Sequence, residues 1–347
     1  MKFPPIFSDL PKRPLTFEIA AGVILALLFW RGSSEGRLPK AVGNGTFDRW
    51  RAIIVMRADV VFDPPASYWV EGLLLGADQG FSSKWRADFR RTGTSHLTAV
   101  SGYNVGMVLS VTLAVLASAP FGRHARVGIA MGCVAAFVLL TGSPGSVLRA
   151  AVMIGAVEAA RLFGRPIKPI RALLIAALCI GACSPRSLAQ DRGFQLSVLA
   201  SFGLVTLAPP MTDFFRFLPK TVAAWAGQTL AATIATAPLI ALMSGTYSLV
   251  ALPANIAVAA FIPALMGLGA LILAASLVSL PLSLAVAGLA KGFFMLPLVL
   301  IRAMASWPAA AVTGPEAFAV LIGVELAALF FVLRWRRRAS ERLGLHA

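Results

Sequence analysis

The sequence predicts an all-α polytopic integral membrane protein with roughly 8–10 membrane helices, some of them broken or re-entrant. Of its 347 residues, 58% are hydrophobic and only 13% are charged, whereas a soluble domain carries about 25% charged residues. The apolar residues form uncharged blocks, such as 127–140 and 265–280. Several blocks approach the ~20 residues that a helix needs to cross a hydrocarbon core. Glycine and proline interrupt other blocks, which predicts the breaks.

Four regions follow from the pattern of charge along the chain. Residues 1–30 form an N-terminal membrane anchor, read as retained because no small-x-small cleavage pattern follows it. Residues 31–95 form a short polar extramembrane segment. Residues 96–333 form the membrane domain, with roughly nine apolar segments. Residues 334–347 form a cationic tail, which places the C-terminus in the cytoplasm by the positive-inside rule.

The polar segment contains two predicted elements. Residues 52–62 are rich in β-branched side chains and predict a strand. A short helix is predicted from Ser82 or Ser83, with a serine N-cap and Gly93 as its stop. We call it the basic helix, and we expect it to lie at the membrane interface with Trp85 and Phe89 in the headgroup layer. Its polar face carries Lys84, Arg86, Arg90 and Arg91.

The charge balance has two interpretations. Lysine and arginine number 31 against 15 acidic residues, a formal charge of +16. Loops of bacterial membrane proteins collect cations through the positive-inside rule and through anionic lipids. A polyanion such as nucleic acid is the alternative partner. Charge alone does not decide between them.

Arg149 follows a Gly-Ser-Pro-Gly run that cannot continue a straight helix. A new helix starting near Ser146 would present free N–H groups and the positive end of its dipole. Arg149 would lie in its first turn, and cation and helix end together would favour an anion. The alternative is a surface loop from which Arg149 extends to the lipid headgroups.

Further polar residues lie at the mouths of apolar runs: His96, Ser101 and Asn104 in one, Asp191 and Gln195 in another. They predict either a polar path or hydrogen bonds between helices. A Ser–His hydrolase is disfavoured, because five helical residues at about 100° each place His96 and Ser101 about 140° apart.

Glu158 lies within an apolar segment, where an ionisable side chain indicates a partner or an aqueous cavity. Arg161 is three residues further along, so a local ion pair is the alternative to a place on the polar path.

Several kinds of chemistry have no residues to support them. The sequence has no glycine-rich loop that ends in Gly-Lys-Ser/Thr, so no ATP-binding loop is recognisable. Only His96 and His124 lie in the membrane domain, too few for a multi-histidine zinc site. The three cysteines occur inside apolar blocks and are expected to be small buried residues. We therefore expect no enzyme activity, cofactor or metal.

Three sequence motifs resemble those of the ComEC competence family. The first comprises 71–78 (EGLLLGAD) and 89–102 (FRRTGTSHLTAVSG). The second is 141–151 (TGSPGSVLRAA), and the third is 191–197 (DRGFQLS) followed by Phe202-Gly203. They occur in the order that the family shows. The sequence departs from the family pattern at Tyr103 and Asn104, where leucine and histidine are usual.

The resemblance implies a channel in the bacterial cytoplasmic (inner) membrane that passes single-stranded DNA during natural transformation. His96, Ser101, Asn104, Arg149, Gln195, Asp191 and Glu158 would then line the DNA path, and the basic helix would attract DNA to its mouth. Family members commonly add an oligonucleotide-binding module and a metallo-β-lactamase-like nuclease domain, and this sequence is expected to be a short form without the latter. A cytoplasmic helicase or other ATPase, a DNA receptor and a nuclease would be separate proteins. The rival functions are a transporter of a small anionic solute and a non-conducting membrane scaffold.

Overall fold

The protein, seen in a computed structural model, is described over residues 46–77, 80–183 and 190–342. These residues are almost entirely helical, which confirms the predicted all-α class. The predicted anchor at residues 1–30 lies outside the described residues, as does the end of the cationic tail.

The first helices are α1 (Thr46–Val61), α2 (Ala66–Leu75), α3 (Ser83–Arg91), α4 (Gly102–Val115), α5 (Arg123–Leu140), α6 (Gly145–Leu162) and α7 (Pro169–Cys183). The later elements are α8 (Arg192–Thr206), α9 (Ala208–Phe214), α10 (Lys220–Ser244), β1 (Thr246–Ser248), α11 (Ala251–Ala259), α12 (Ile262–Val278), α13 (Leu280–Ala305), β2 (Ala311–Thr313) and α14 (Pro315–Arg342). Short 3₁₀ turns at Ser95–Leu97 and Leu116–Ser118 flank α4.

Five described helices are long and apolar enough to cross a membrane. They are α4 with its flanking turns (Ser95–Ser118), α5, α10, α13 and the Phe318–Trp335 part of α14. Two pairs of consecutive helices are long and apolar enough when each pair is taken together, but each pair is bent. The bend is 57° between α8 and α9 and 41° between α11 and α12. The bent pairs match the predicted broken helices. The protein is therefore a multi-pass helical membrane protein.

Two helices of the membrane domain, α6 and α7, lack the length or apolar composition of a membrane span for identifiable reasons. α6 carries Arg149, Glu158 and Arg161, and α7 has only 15 residues, fewer than the ~20 of a straight span. Cys133, Cys179 and Cys183 are all exposed on their helices, so the expectation that they are buried is wrong. Small thiols are compatible with either a protein core or a lipid-facing surface, and sequence alone did not separate the two.

The strand predicted over 52–62 is wrong, because this stretch lies in α1 and the turn after it. Ile54, Ala58, Val61 and Phe62 pack together against the same core. Their spacing of three and four residues is that of one helix face. The β-branched composition favoured a strand, but the burial of one helical face determines the structure.

The basic helix is α3, as predicted, and Ser82 Oγ accepts a hydrogen bond from Trp85 N at 3.4 Å. Phe89 does not reach the headgroup layer, because it is buried against Trp69 and Phe81. The expected anchoring role is therefore wrong for Phe89. α3 and α2 share a core with α12 and α13, while the extramembrane placement of residues 31–95 stays a prediction.

β1 and β2 form an antiparallel ribbon with Tyr247 opposite Val312. Ser248 Oγ, in β1, donates a hydrogen bond to Arg91 O at 2.7 Å. The ribbon therefore fixes the end of the basic helix beside the start of α14.

Candidate functional site

The two halves of the first motif meet where α2 passes the start of α4. Gly72 approaches Thr98 so closely that a Cβ at Gly72 would overlap the Thr98 carbonyl oxygen. Asn104 Nδ2 donates to Leu73 O at 2.9 Å, and Ser101 Oγ donates to Asn104 Oδ1 at 3.2 Å. The predicted path residues Ser101 and Asn104 thus bind α4 to α2 in this conformation.

The second motif forms the predicted irregular turn. Gly142 has φ +76° and Ser143 has φ +54°, a left-handed conformation that is unfavourable for serine. A strained non-glycine residue of this kind persists only where the surroundings fix it. α6 then begins at Gly145, one residue before the predicted start near Ser146, and Ser146 Oγ donates to Val100 O at 3.4 Å.

Arg149 lies between α4, α6 and α8. Its side chain is only 5% exposed, so it does not extend to the membrane surface. Nη1 donates to Ser201 Oγ on α8 and lies 3.8 Å from Met153 Sδ. A Cβ at Gly102 would lie 3.0 Å from Nη2, so glycine leaves room for the guanidinium. Nε is buried and has no hydrogen-bond partner among the described residues.

Asp191, the first residue of the third motif, joins the starts of α6 and α8. It caps α8, with Oδ1 accepting a hydrogen bond from Phe194 N at 3.0 Å. Its Oδ2 would lie 2.5 Å from a Cβ at Gly145, so the carboxylate is packed against the first residue of α6. The sequence predicted an anion at this helix end, and in this conformation the protein supplies a carboxylate.

The three motifs therefore come together in one place, which we call the motif junction. It is defined by Leu73, Asn104, Gly145, Arg149, Asp191 and Ser201. Gln195 lies in the first turn of α8, next to this junction and partly buried. No three His, Cys, Asp or Glu side chains come together as a metal site among the described residues.

Other predicted path residues lie apart from the junction. His96 is exposed in the 3₁₀ turn before α4. Glu158 is nine residues after Arg149, about 13 Å further along α6. It forms an ion pair of 2.6 Å with Arg161, which confirms the local pair that the sequence allowed.

The four cations of the basic helix have different environments. Lys84, Arg86 and Arg90 are exposed. Arg91 instead donates from Nε to Ala305 O at 2.9 Å and from Nη2 to Trp307 O at 3.1 Å. It therefore satisfies carbonyls at the end of α13 rather than an external anion.

Sequence reasoning missed Ser201 and the two glycines that make the junction close-packed, Gly72 and Gly102. One signal for Ser201 was available. Phe194, Val198 and Ser201 are spaced four and three residues apart on α8, and the first two are fully buried, which is the pattern of one inward face. The glycines carried no such signal, because only the neighbouring backbone shows why a side chain is excluded.

Among the described residues outside the membrane-spanning helices, Glu71 of the first motif is the most perturbed carboxyl. It is 6% exposed on α2 and hydrogen-bonds to Asp59 of α1. Burial first, and then the negative charge of Asp59, raise the pKa of Glu71 from 4.5 to about 8. Glu71 therefore holds its proton at neutral pH.

Stability is expected to fall as pH rises from 4.5 towards about 8, because the folded protein keeps a proton that the unfolded chain releases. Glu71→Gln, which is neutral at every pH, is expected to flatten this profile. Thermal melts of purified protein in detergent between pH 5 and about 9 test it. Parallel profiles for the variant and the original protein would contradict the assignment.

These features define a class: a multi-pass helical membrane protein in which the starts of α4, α6 and α8 meet around a buried arginine. The sequence profile of the Competence protein family matches residues 73–338, and the chain belongs to that family. The chain is also 23% identical over 211 residues to ComE operon protein 3 of Bacillus subtilis (strain 168). That alignment covers 61% of this chain and 26% of the relative, so the likeness extends over about a quarter of the relative's length. No solved structure shows significant similarity to the chain.

Proposed function

We propose that this chain takes part in DNA uptake as the membrane channel that passes one strand of DNA across the cytoplasmic membrane during natural transformation. Membership of the Competence protein family supports the role in uptake. The observation that carries the channel assignment is that the three motifs pack around the start of α6, whose first turns carry Arg149, a buried guanidinium with incomplete hydrogen bonding.

A buried cation is costly unless a charged or hydrogen-bonding partner compensates it. Among the described residues, Arg149 has the neutral hydroxyl of Ser201 as its partner rather than a carboxylate. A phosphate oxygen would accept a charge-assisted hydrogen bond from the free Nε. The site therefore suits an anion that is present only during transport.

This conformation is the closed state in our proposal. The guanidinium is enclosed by α4, α6 and α8, and the Asp191 carboxylate occupies the start of α6. A DNA strand would pass when α6 and α8 separate, which exposes the N-terminus of α6 and Arg149 to phosphates. Ser101, Asn104 and Gln195 would then hydrate the opened path, and His96 would lie at its mouth.

The three exposed cations of the basic helix, Lys84, Arg86 and Arg90, would raise the local concentration of DNA outside this path. Each contact with a phosphate releases condensed counterions, so this contribution weakens as salt increases. A separate helicase or other ATPase would pull the strand, a receptor would deliver it, and a separate nuclease would degrade the other strand.

The charge of the membrane face remote from the motif junction supports an orientation of the protein in the membrane. α4 and α6 run away from the motif junction, so the segments 119–126 and 163–171 lie at their far ends. These two segments contain only basic ionisable residues. The C-terminal helix reaches α9, where Trp335 Nε1 donates to Asp213 Oδ2 at 3.0 Å. By the positive-inside rule we place this face, with the C-terminus, in the cytoplasm of the inner membrane.

Uptake of labelled double-stranded DNA tests the function. Cells that lack this chain are expected to bind the label at the surface but to contain no nuclease-protected label, and a plasmid copy should restore it. Unchanged protected label after deletion would refute the role in uptake. It would favour transport of a small anion if the deletion also abolished flux of such a solute.

A further inference from the structure

A second cationic feature lies at the end of α6 that is remote from the motif junction. A crevice of about 470 Å³ opens there between α6 and the connection from α4 to α5. Its apolar lining includes Leu113, Phe121 and Val127, and its charged lining is Arg123, Arg126 and Glu158. The proposed DNA path does not use this crevice.

The charged lining of the crevice carries a net positive charge. Glu158 is paired with Arg161 at 2.6 Å, so its charge is compensated within the protein. Arg123 and Arg126 have no carboxylate partner among the described residues. The crevice therefore presents two uncompensated guanidiniums.

Both guanidiniums are partly fixed by backbone carbonyls. Arg126 donates from Nε to Phe121 O at 2.7 Å and from Nη2 to Ala119 O at 3.3 Å. Arg123 donates from Nη2 to Arg161 O at 3.3 Å. A guanidinium has five N–H donors, so each retains donors for an anion. These contacts hold the two cations in place before a ligand binds.

The crevice has an apolar wall that is open at its surface. Phe121 is 43% exposed, and Leu113 in the last turn of α4 is partly exposed. Side chains of this kind on a membrane helix contact hydrocarbon rather than water. A ligand with an anionic head and aliphatic chains would cover both parts of this surface.

We propose that the crevice binds an anionic phospholipid, with the phosphate at Arg123 and Arg126 and an acyl chain against Leu113 and Phe121. The net positive charge favours an anionic over a zwitterionic headgroup. A DNA strand shares the phosphodiester chemistry but would leave the apolar wall uncovered. This inference does not depend on DNA conduction.

Purified full-length protein in detergent, titrated with phosphatidylglycerol or phosphatidylcholine and examined by native mass spectrometry, tests the site. Phosphatidylglycerol should bind more tightly than phosphatidylcholine. The double variant Arg123→Gln/Arg126→Gln should weaken this binding by roughly tenfold or more, since each arginine contributes to attraction of an anionic lipid. The matched control Arg165→Gln, also exposed on this face but outside the crevice, should bind as the original protein does.

Two further measurements distinguish a lipid phosphate from a soluble phosphate and test whether weaker binding results from misfolding. Phe121→Asn leaves the arginines and the backbone carbonyl that Arg126 contacts intact, and should weaken lipid binding without affecting the melting temperature. Soluble glycerophosphoglycerol should compete poorly. The proposal is overturned if the double variant binds as the original protein does, if Arg165→Gln loses as much affinity, if the soluble headgroup competes as well as the lipid, or if a single-stranded oligonucleotide displaces the lipid.

Discussion

Arg149→Ala is expected to reduce nuclease-protected DNA at least about tenfold while surface-bound DNA stays unchanged. A hydrogen bond to a charged group contributes about 1.5–3 kcal/mol, and each 1.36 kcal/mol changes a rate about tenfold. Arg149→Lys keeps the charge but loses the planar fork that can contact Ser201 and a phosphate together. Its uptake is expected to be intermediate.

The matched control for Arg149 is Arg165→Ala, which removes an exposed arginine three residues after the end of α6 and far from the junction. It should leave uptake unchanged. Protein levels in the membrane fraction must be equal for all variants. Removing Arg149 also removes a buried charge, so loss of the fold is not the expected effect. Uptake by Arg149→Ala within about twofold of the original protein would exclude a phosphate contact at this residue, since one such contact is worth more.

Gly72→Ala is expected to destabilise the protein by about 3 kcal/mol, the upper part of the usual range for overpacking. The new methyl group would overlap the Thr98 carbonyl oxygen, which is backbone and cannot rotate away. α2 must then move from α4, which strains the bond from Asn104 Nδ2 to Leu73 O. The melting temperature in detergent should fall on the order of 5–10 °C, and DNA uptake should fall with it.

Gly106→Ala is the matched control, because a Cβ at Gly106 on α4 meets no atom within 4 Å. Alanine is favoured over glycine inside a helix by about 1 kcal/mol, so this variant should melt at the same temperature or higher. If the Gly72→Ala protein has the same melting temperature as the original protein, the close approach of α2 to Thr98 does not hold the junction together.

The elements that sequence predicted well are those with local signals. Ser82 and Gly93 bound the basic helix, and the Gly-Ser-Pro-Gly run places the start of α6 at Gly145. The pair of Glu158 with Arg161 is also local. In 52–62 two local signals competed, and the spacing of Ile54, Ala58 and Val61 outweighed the β-branched composition once one face was buried.

The contacts of the junction could not be predicted in the same way. Arg149 meets Ser201 across 52 residues, and Asn104 meets the Leu73 carbonyl across 31. Such pairs depend on how helices pack, and the chain offers many alternative partners for each polar side chain. The sequence also suggested a hydrated passage around Arg149, whereas the guanidinium is enclosed here. Residue pattern indicates which side chains are polar, but the balance between closed and open packing depends on small free-energy differences.

Site-specific crosslinking to DNA arrested in transit tests the central claim most directly. A photoreactive amino acid would replace Ser201 in the junction or, as control, Leu289, which is 89% exposed on α13. Transforming DNA would carry a bulky protein at one end so that the strand stops inside the membrane. We expect DNA crosslinks at position 201 that disappear in the Arg149→Ala background, and none at position 289. Arrested DNA that crosslinks equally at both positions, or at neither, would contradict passage through the motif junction.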